Sequence, residues 1–152
     1  MESKRRLSKS VNWENKQMIS NDLLEGAVKF HGHLGPFLVL GLRAGLLGVD
    51  YLGKEYFELR AKVETALHPP RSCFIDGIQF ASSCTTGKGN LETNALDDVS
   101  VEFVRGARRI SLVVRKDVSK TLELITSDRQ AETIAREILQ KTNEELFLTR
   151  RD

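Results

Sequence analysis

From Pro36 to Val49 the chain is apolar at almost every position, and the only charge in the run is Arg43. A helix over Pro36 to Gly48 would carry Phe37, Leu38, Val39, Leu40, Leu42, Leu46 and Leu47 around most of its circumference. Such a helix cannot sit on a surface, so it must be central and covered by other elements on several sides. Pro36 suits its first turn, where the missing N–H costs nothing. Gly41 and Gly45 are four apart and share a face, leaving a smooth strip for close packing by another helix or for a ligand; tight packing is the favoured reading. Arg43, alone among apolar neighbours, needs a buried partner or an exit to solvent. The run from Phe37 to Val49 is also shorter than the ~17 residues a membrane span requires.

The chain has 152 residues, enough for one domain over 1–152 that buries roughly 70% of its unfolded surface. A net charge of +2 is too small to imply nucleic-acid or membrane binding. The basic start, Lys4, Arg5, Arg6 and Lys9, reads as a solvated arm within a flexible stretch over 1–12. It lacks the apolar centre of a signal peptide, so the expected location is cytoplasmic.

Around the central helix the periodicities alternate between helix and strand. Met18, Ile19, Leu23, Leu24, Ala27 and Val28 follow helical spacing, which predicts a helix from Glu14 to Lys29 with Asn21-Asp22 as possible caps. From Phe57 to Thr65 apolar and charged residues alternate, predicting a strand with one wet face. His68-Pro69-Pro70 stops it, and Ser72 is placed to cap a helix that runs to Ser82. Runs over 100–104 and 109–115, around Arg105-Gly106-Ala107, predict a hairpin. Ala131, Ile134, Ala135, Ile138, Leu139 and Leu146 mark a long amphipathic helix capped by Ser127, whose stripe covers the sheet or a second subunit. The expected class is α+β: an antiparallel sheet packed with helices, N-terminal helices first and a long C-terminal amphipathic helix last.

Residues able to do chemistry gather in two places. In Phe30-His31-Gly32-His33-Leu34-Gly35-Pro36 an extended backbone would turn both imidazoles to one side, beside the positive end of the central helix. The second group is Cys73, Asp76, Cys84 and Lys88, with Asp76 one turn after Cys73. Neutral imidazole and thiolate suit Zn²⁺ or another divalent metal, for instance His31 or His33 with Cys84 and water. The plainer reading is solvated loop histidines, a small buried thiol and surface charges. The turn Cys84-Thr85-Thr86-Gly87-Lys88-Gly89-Asn90 could aim backbone N–H groups of Gly87 and Gly89, with the Lys88 charge, at an anion. It is not a P-loop. If the chain between Cys73 and Cys84 is helical, the two lie about 16 Å apart, beyond the ~7 Å of a disulfide and too far to share one ion. A third chemistry is Cys84 as nucleophile with His31 or His33 as base.

Phe30-His31-Gly32-His33-Leu34-x-Pro36 followed by Leu40-Gly41-x-Arg43-Ala44, and Cys73-x-x-Asp76-Gly77-Ile78-Gln79 followed by Ser83-Cys84-Thr85-x-Gly87-Lys88-Gly89-Asn90, resemble the two motifs of the FmdE-like family of formylmethanofuran dehydrogenase proteins. The resemblance covers residues 30–90. It implies an α+β domain, a homodimer, a pocket between the motifs, and association with subunits of a molybdenum or tungsten formylmethanofuran dehydrogenase of archaea and anaerobic bacteria. His31, His33, Cys73, Asp76, Cys84 and Lys88 fall on motif positions, so His31, His33, Cys73 and Cys84 become candidate metal ligands and Cys84, Asp76 and Lys88 candidate catalytic groups. Two departures accompany it. Gly35 stands where the motif usually has cysteine, and no cysteine follows Cys84 to build the C-terminal zinc module of many members. The expected activity is accessory to one-carbon redox chemistry, with a His/Cys pocket for a divalent metal or a small anion. The alternatives are a stand-alone Cys/His hydrolase or transferase, and an assembly subunit with a relict site.

Overall fold

A computed structural model describes residues 19–152; the basic arm and the stretch from Glu14 to Met18 expected to begin the first helix lie outside them. That helix, α1 (Asn21–His31), starts at Ser20, whose side chain accepts from Leu23 N–H. It ends at Gly32, whose φ of 113° is the left-handed conformation that glycine adopts without strain. The central helix α2 (Pro36–Leu52) has Pro36 in its first turn and runs past Gly48 to a glycine cap at Gly53. As its composition demands, it is buried on nearly every side: Leu38 and Leu42 pack with Ala27 and Ala81, while Phe37, Leu40, Ala44 and Leu47 belong to the main core.

Strand β1 (Arg60–Thr65) follows, then α3 (Cys73–Ser82), β2 (Leu91–Ala95), β3 (Ser100–Arg105), β4 (Arg108–Val114), α4 (Lys116–Leu122), α5 (Asp128–Gln140), α6 (Asn143–Leu146) and β5 (Phe147–Arg151). The five strands lie in the order β2-β1-β3-β4-β5. The expected hairpin is β3-β4, paired Arg105 to Arg108 across Gly106-Ala107. Val63, Val101 and Leu112 stand in register on the covered face, and Lys62, Glu102 and Ser111 on the other. The helices occupy one face, so the α+β class holds.

Four expectations give way. The sheet is mixed, because β2 pairs with β1 in parallel. β1 begins at Arg60, and Phe57, expected inside it, is 73% exposed in the turn before it. The C-terminal helix stops at Gln140. Thr142 and Glu145 form a capping box that starts a new single-turn helix, so Leu146 reaches the core from α6 and the chain leaves as strand β5. Ser72 does not cap α3 with its side chain; Cys73, Phe74 and Ile75 donate instead to the carbonyls of Pro70, Arg71 and Ser72.

The contact that sets the architecture is α2 against α3. A Cβ on Gly41 would stand 2.2 Å from the Phe74 carbonyl, and one on Gly77 would stand 2.4 Å from the Leu38 carbonyl. Gly45 meets Ala81 in the same way one turn on. The glycine strip is therefore a helix–helix seam, and matching early residues to early and late to late shows that the two helices run in the same direction. Arg43 finds partners without leaving the core: it donates to the Ile138 carbonyl at 3.0 Å and to Asn143 Oδ1 at 2.7 Å. Burial lowers its pKa to about 10, with the Glu145 charge pulling the other way. Among the described residues no helix is long and apolar enough to cross a membrane.

Two stability outcomes follow. Gly41→Ala or Gly77→Ala should lower the unfolding free energy by about 3 kcal/mol, because backbone rather than a mobile side chain must give way. Gly87→Ala, where a Cβ meets nothing within 4 Å, should stay within about 0.5 kcal/mol in the same urea titration. Arg43→Met alone should cost about 3 kcal/mol by orphaning two buried acceptors. Adding Asn143→Leu should recover part of that loss, which a double-mutant cycle reads directly.

Candidate functional site

The two histidines are brought together, though not by an extended backbone. His31 is the last residue of α1, and the left-handed turn at Gly32 folds His33 back over it. Their ring centroids are 4.8 Å apart at a tilt of 38°. His31 Nδ1 donates to Asp76 Oδ2 at 2.5 Å, linking the end of α1 to the first turn of α3. The His31 side chain is 10% exposed, and its Nε2 is buried with no hydrogen-bond partner.

His33 is exposed and faces a cleft of about 580 Å³. Gly35, Pro36 and Phe37 form one wall of the cleft and Pro69, Pro70 and Cys73 another. Leu122 and the segment from Ile125 to Asp128, with Ala131, close the third side. Three helices thus begin on the cleft: α2, α3 and α5. The first N–H groups of α3 are already used. α2 starts at Gly35 with no side-chain cap, and Ser127 Oγ at the head of α5 accepts only from Gln130. The positive ends of α2 and α5 are therefore the ones open to a ligand. Asp128 sits on the α5 end, so an anion is better placed toward α2 and His33. The outer wall is pinned by Arg71, which donates to Glu123 Oε1 at 2.6 Å and to the Asp97 carbonyl.

The second motif is divided by α3. Cys73 opens the helix on the cleft, whereas Cys84 follows its far end, about 15 Å away along ten residues. Both thiols are free. Cys84 is fully buried and donates Sγ–H to the Leu59 carbonyl at 3.4 Å. Burial pushes its pKa up, against smaller pulls from the Ser82 hydrogen bond and the charges of Lys88 and Arg60. Burial and then the Asp76 charge push up the Cys73 thiol. Lys88 curls back onto Thr85 Oγ1 and the Ser83 carbonyl at the C-terminal end of α3, so its charge is spent on that helix end. Gly87 and Gly89 lie in the same turn, away from the cleft.

The residues expected to hold a divalent metal do not meet as a set. His33 and Cys73 share the cleft, His31 is engaged by Asp76, and Cys84 is in the core. Among the described residues no three of His, Cys, Asp and Glu are grouped to hold an ion. A side chain at Gly35 would bring its Cβ 3.1 Å from His33 Nε2, so glycine here gives the imidazole its room.

Residues that the motifs did not flag complete the picture. Asn90 is buried, accepts from Thr85 N–H and donates to the carbonyls of Tyr56 and Leu59, anchoring the polar turn beside β1. Ser127 and Asp128 belong to the cleft although they lie far along the chain from both motifs. Neither thiol is set up as a nucleophile. Alkylation by iodoacetamide, followed by mass spectrometry across pH, should give Cys73 a midpoint above the ~8.5 of free cysteine, since burial disfavours thiolate. Cys84 should label only on unfolding; rapid labelling of Cys84 in the native protein would contradict its placement.

The family model described as "FmdE, Molybdenum formylmethanofuran dehydrogenase operon" matches residues 30–149. A probable S-adenosyl-L-methionine-binding protein of Archaeoglobus fulgidus is 28% identical over 131 residues, covering 85% of this chain and 33% of that protein. The chain thus spans about a third of that relative's length. The crystal structure of an FmdE-like protein of tungsten formylmethanofuran dehydrogenase from Syntrophus aciditrophicus aligns with a TM-score of 0.61 over 91% of this chain and 76% of that one, at 19% identity. At that identity the likeness is one of fold.

Proposed function

The chain belongs to the FmdE family, and from that premise we propose that it is an accessory domain for molybdenum- or tungsten-dependent formylmethanofuran dehydrogenase chemistry that holds a small organic anion in its cleft. The observation that carries the reading is the convergence of the open N-terminal ends of α2 and α5 on the same cleft as His33. Such ends favour a carboxylate or phosphate, and an imidazole beside them adds a hydrogen-bond donor. The walls from Phe37, Leu122 and Ile125 supply apolar contact for the rest of an organic ligand. The name of the Archaeoglobus relative agrees with a ligand-holding role, because S-adenosylmethionine carries a carboxylate on a larger organic body.

In this reading the dehydrogenase subunits are the partners and the domain presents or receives a one-carbon or carboxylate-bearing compound, with no thiol chemistry of its own. Isothermal titration of the full chain with S-adenosylmethionine, formate and inorganic phosphate tests it. At least one should bind, and His33→Ala should weaken that ligand by about tenfold, the usual scale for losing one hydrogen bond to a charged group. Equal binding by the variant, or no binding of any of the three, overturns the reading.

A further inference from the structure

Four buried side-chain polar atoms among the described residues lack a hydrogen-bond partner. Arg43 Nε, Asn143 Nδ2 and Thr65 Oγ1 belong to core residues. The fourth, His31 Nε2, lies one ring away from the cleft. Asp76 faces Nδ1 with a carboxylate oxygen, which can only accept, so Nδ1 carries the hydrogen and Nε2 presents a lone pair. A buried acceptor without a donor is costly to maintain, and here the fold maintains it with a carboxylate fixing the ring from behind. The ring of His33 lies over it. His33 is exposed, makes no hydrogen bond among the described residues, and stands beside the bare Gly35, so little holds it in place except the contact with His31.

We propose that the His31–Asp76 pair is the proton acceptor of this site and that His33 is its movable cover. The proposal rests on the cleft being the ligand site, and it narrows the ligand to an oxyanion with a dissociable proton on an atom next to its charged group. With the anionic end on the α2 side and His33 turned aside, that proton passes to His31 Nε2. The bonding pair stays on the ligand atom, and the imidazolium that forms is paired with the Asp76 carboxylate it already touches. No oxidant or second reactant is needed, and the proton returns to the ligand or to solvent on release. Asp76 touches no ligand; it is a positioning residue that fixes the tautomer.

The test uses the full chain without ligand. In ¹⁵N NMR of the histidine side chains at neutral pH, Nε2 of His31 should carry the signature of an unprotonated ring nitrogen, and Asp76→Asn should abolish the single tautomer. Diethyl pyrocarbonate, which acylates unprotonated imidazole nitrogen, should modify His31 at least tenfold more slowly than the exposed His68. His33→Ala should raise the His31 rate at least tenfold and leave His68 unchanged. A protonated Nε2 in the native protein, or a His31 rate that ignores His33→Ala, overturns the proposal. Since neither readout involves a ligand, failure of the anion titrations would strike the cleft reading alone.

Discussion

Everything that makes a site here descends from the backbone contact between α2 and α3. Gly41 and Gly77 let the helices meet with almost nothing between them, so a carbonyl of each lies where the other's side chain would be. Helices that run the same way align their dipoles unfavourably, and such a pairing persists only when close packing outweighs the repulsion. The consequence is spatial. Both positive ends arrive together, and α1, which runs against α3 with Gly26 under Phe80 and His31 at Asp76, delivers its C-terminus to the same place. A negative helix end carrying an imidazole is thereby set beside the positive ends.

Arg43 extends that arrangement to a third helix. Its guanidinium takes the Ile138 carbonyl near the end of α5, a position where a cation complements the helix dipole. Fixing the end of α5 against the middle of α2 leaves the beginning of α5, Ser127 and Asp128, beside Pro36. The buried charge therefore acts as a positional tie more than as a source of stability, since desolvation offsets much of what its hydrogen bonds return. Asn143 shares the tie from the next helix, so α6 and β5 inherit their placement from it as well.

The legible parts of the sequence were those in which one periodicity acts alone. A run apolar on all sides could only be central, alternating runs around Arg105-Gly106-Ala107 could only be a hairpin, and a four-residue glycine spacing announced close packing. β2 escaped because Leu91-Glu92-Thr93-Asn94-Ala95 has little strand preference and is held at the sheet edge by parallel pairing with β1 alone. The end of α5 was written in the chain as Thr142-x-x-Glu145, a capping box hidden by the chance that Leu146 continues the apolar spacing. In the site, the separation of the two cysteines was legible from their spacing, because a ten-residue helix sends Cys73 and Cys84 to opposite ends and so divides the second motif. What spacing could not reveal is that Cys84 and Lys88 serve their own end of α3, or that a segment some way further along the chain closes the cleft.

Division of the motif changes the chemistry the site can offer. Sulfur and imidazole side by side would favour a soft metal or a thiolate nucleophile, and the fold separates them. Of the two thiols, one is buried in the core and the other faces the cleft under the double burden of burial and the Asp76 charge. The same carboxylate that discourages a thiolate at Cys73 orders the imidazole at His31, so a single residue, Asp76, turns the site from sulfur toward proton chemistry. Gly35 acts in the same sense by adding no donor of its own and by leaving His33 room to move. Carboxylate, two imidazoles and the open ends of two helices form a coherent set for an acidic organic anion, because each favours either negative charge or the release of a proton beside it.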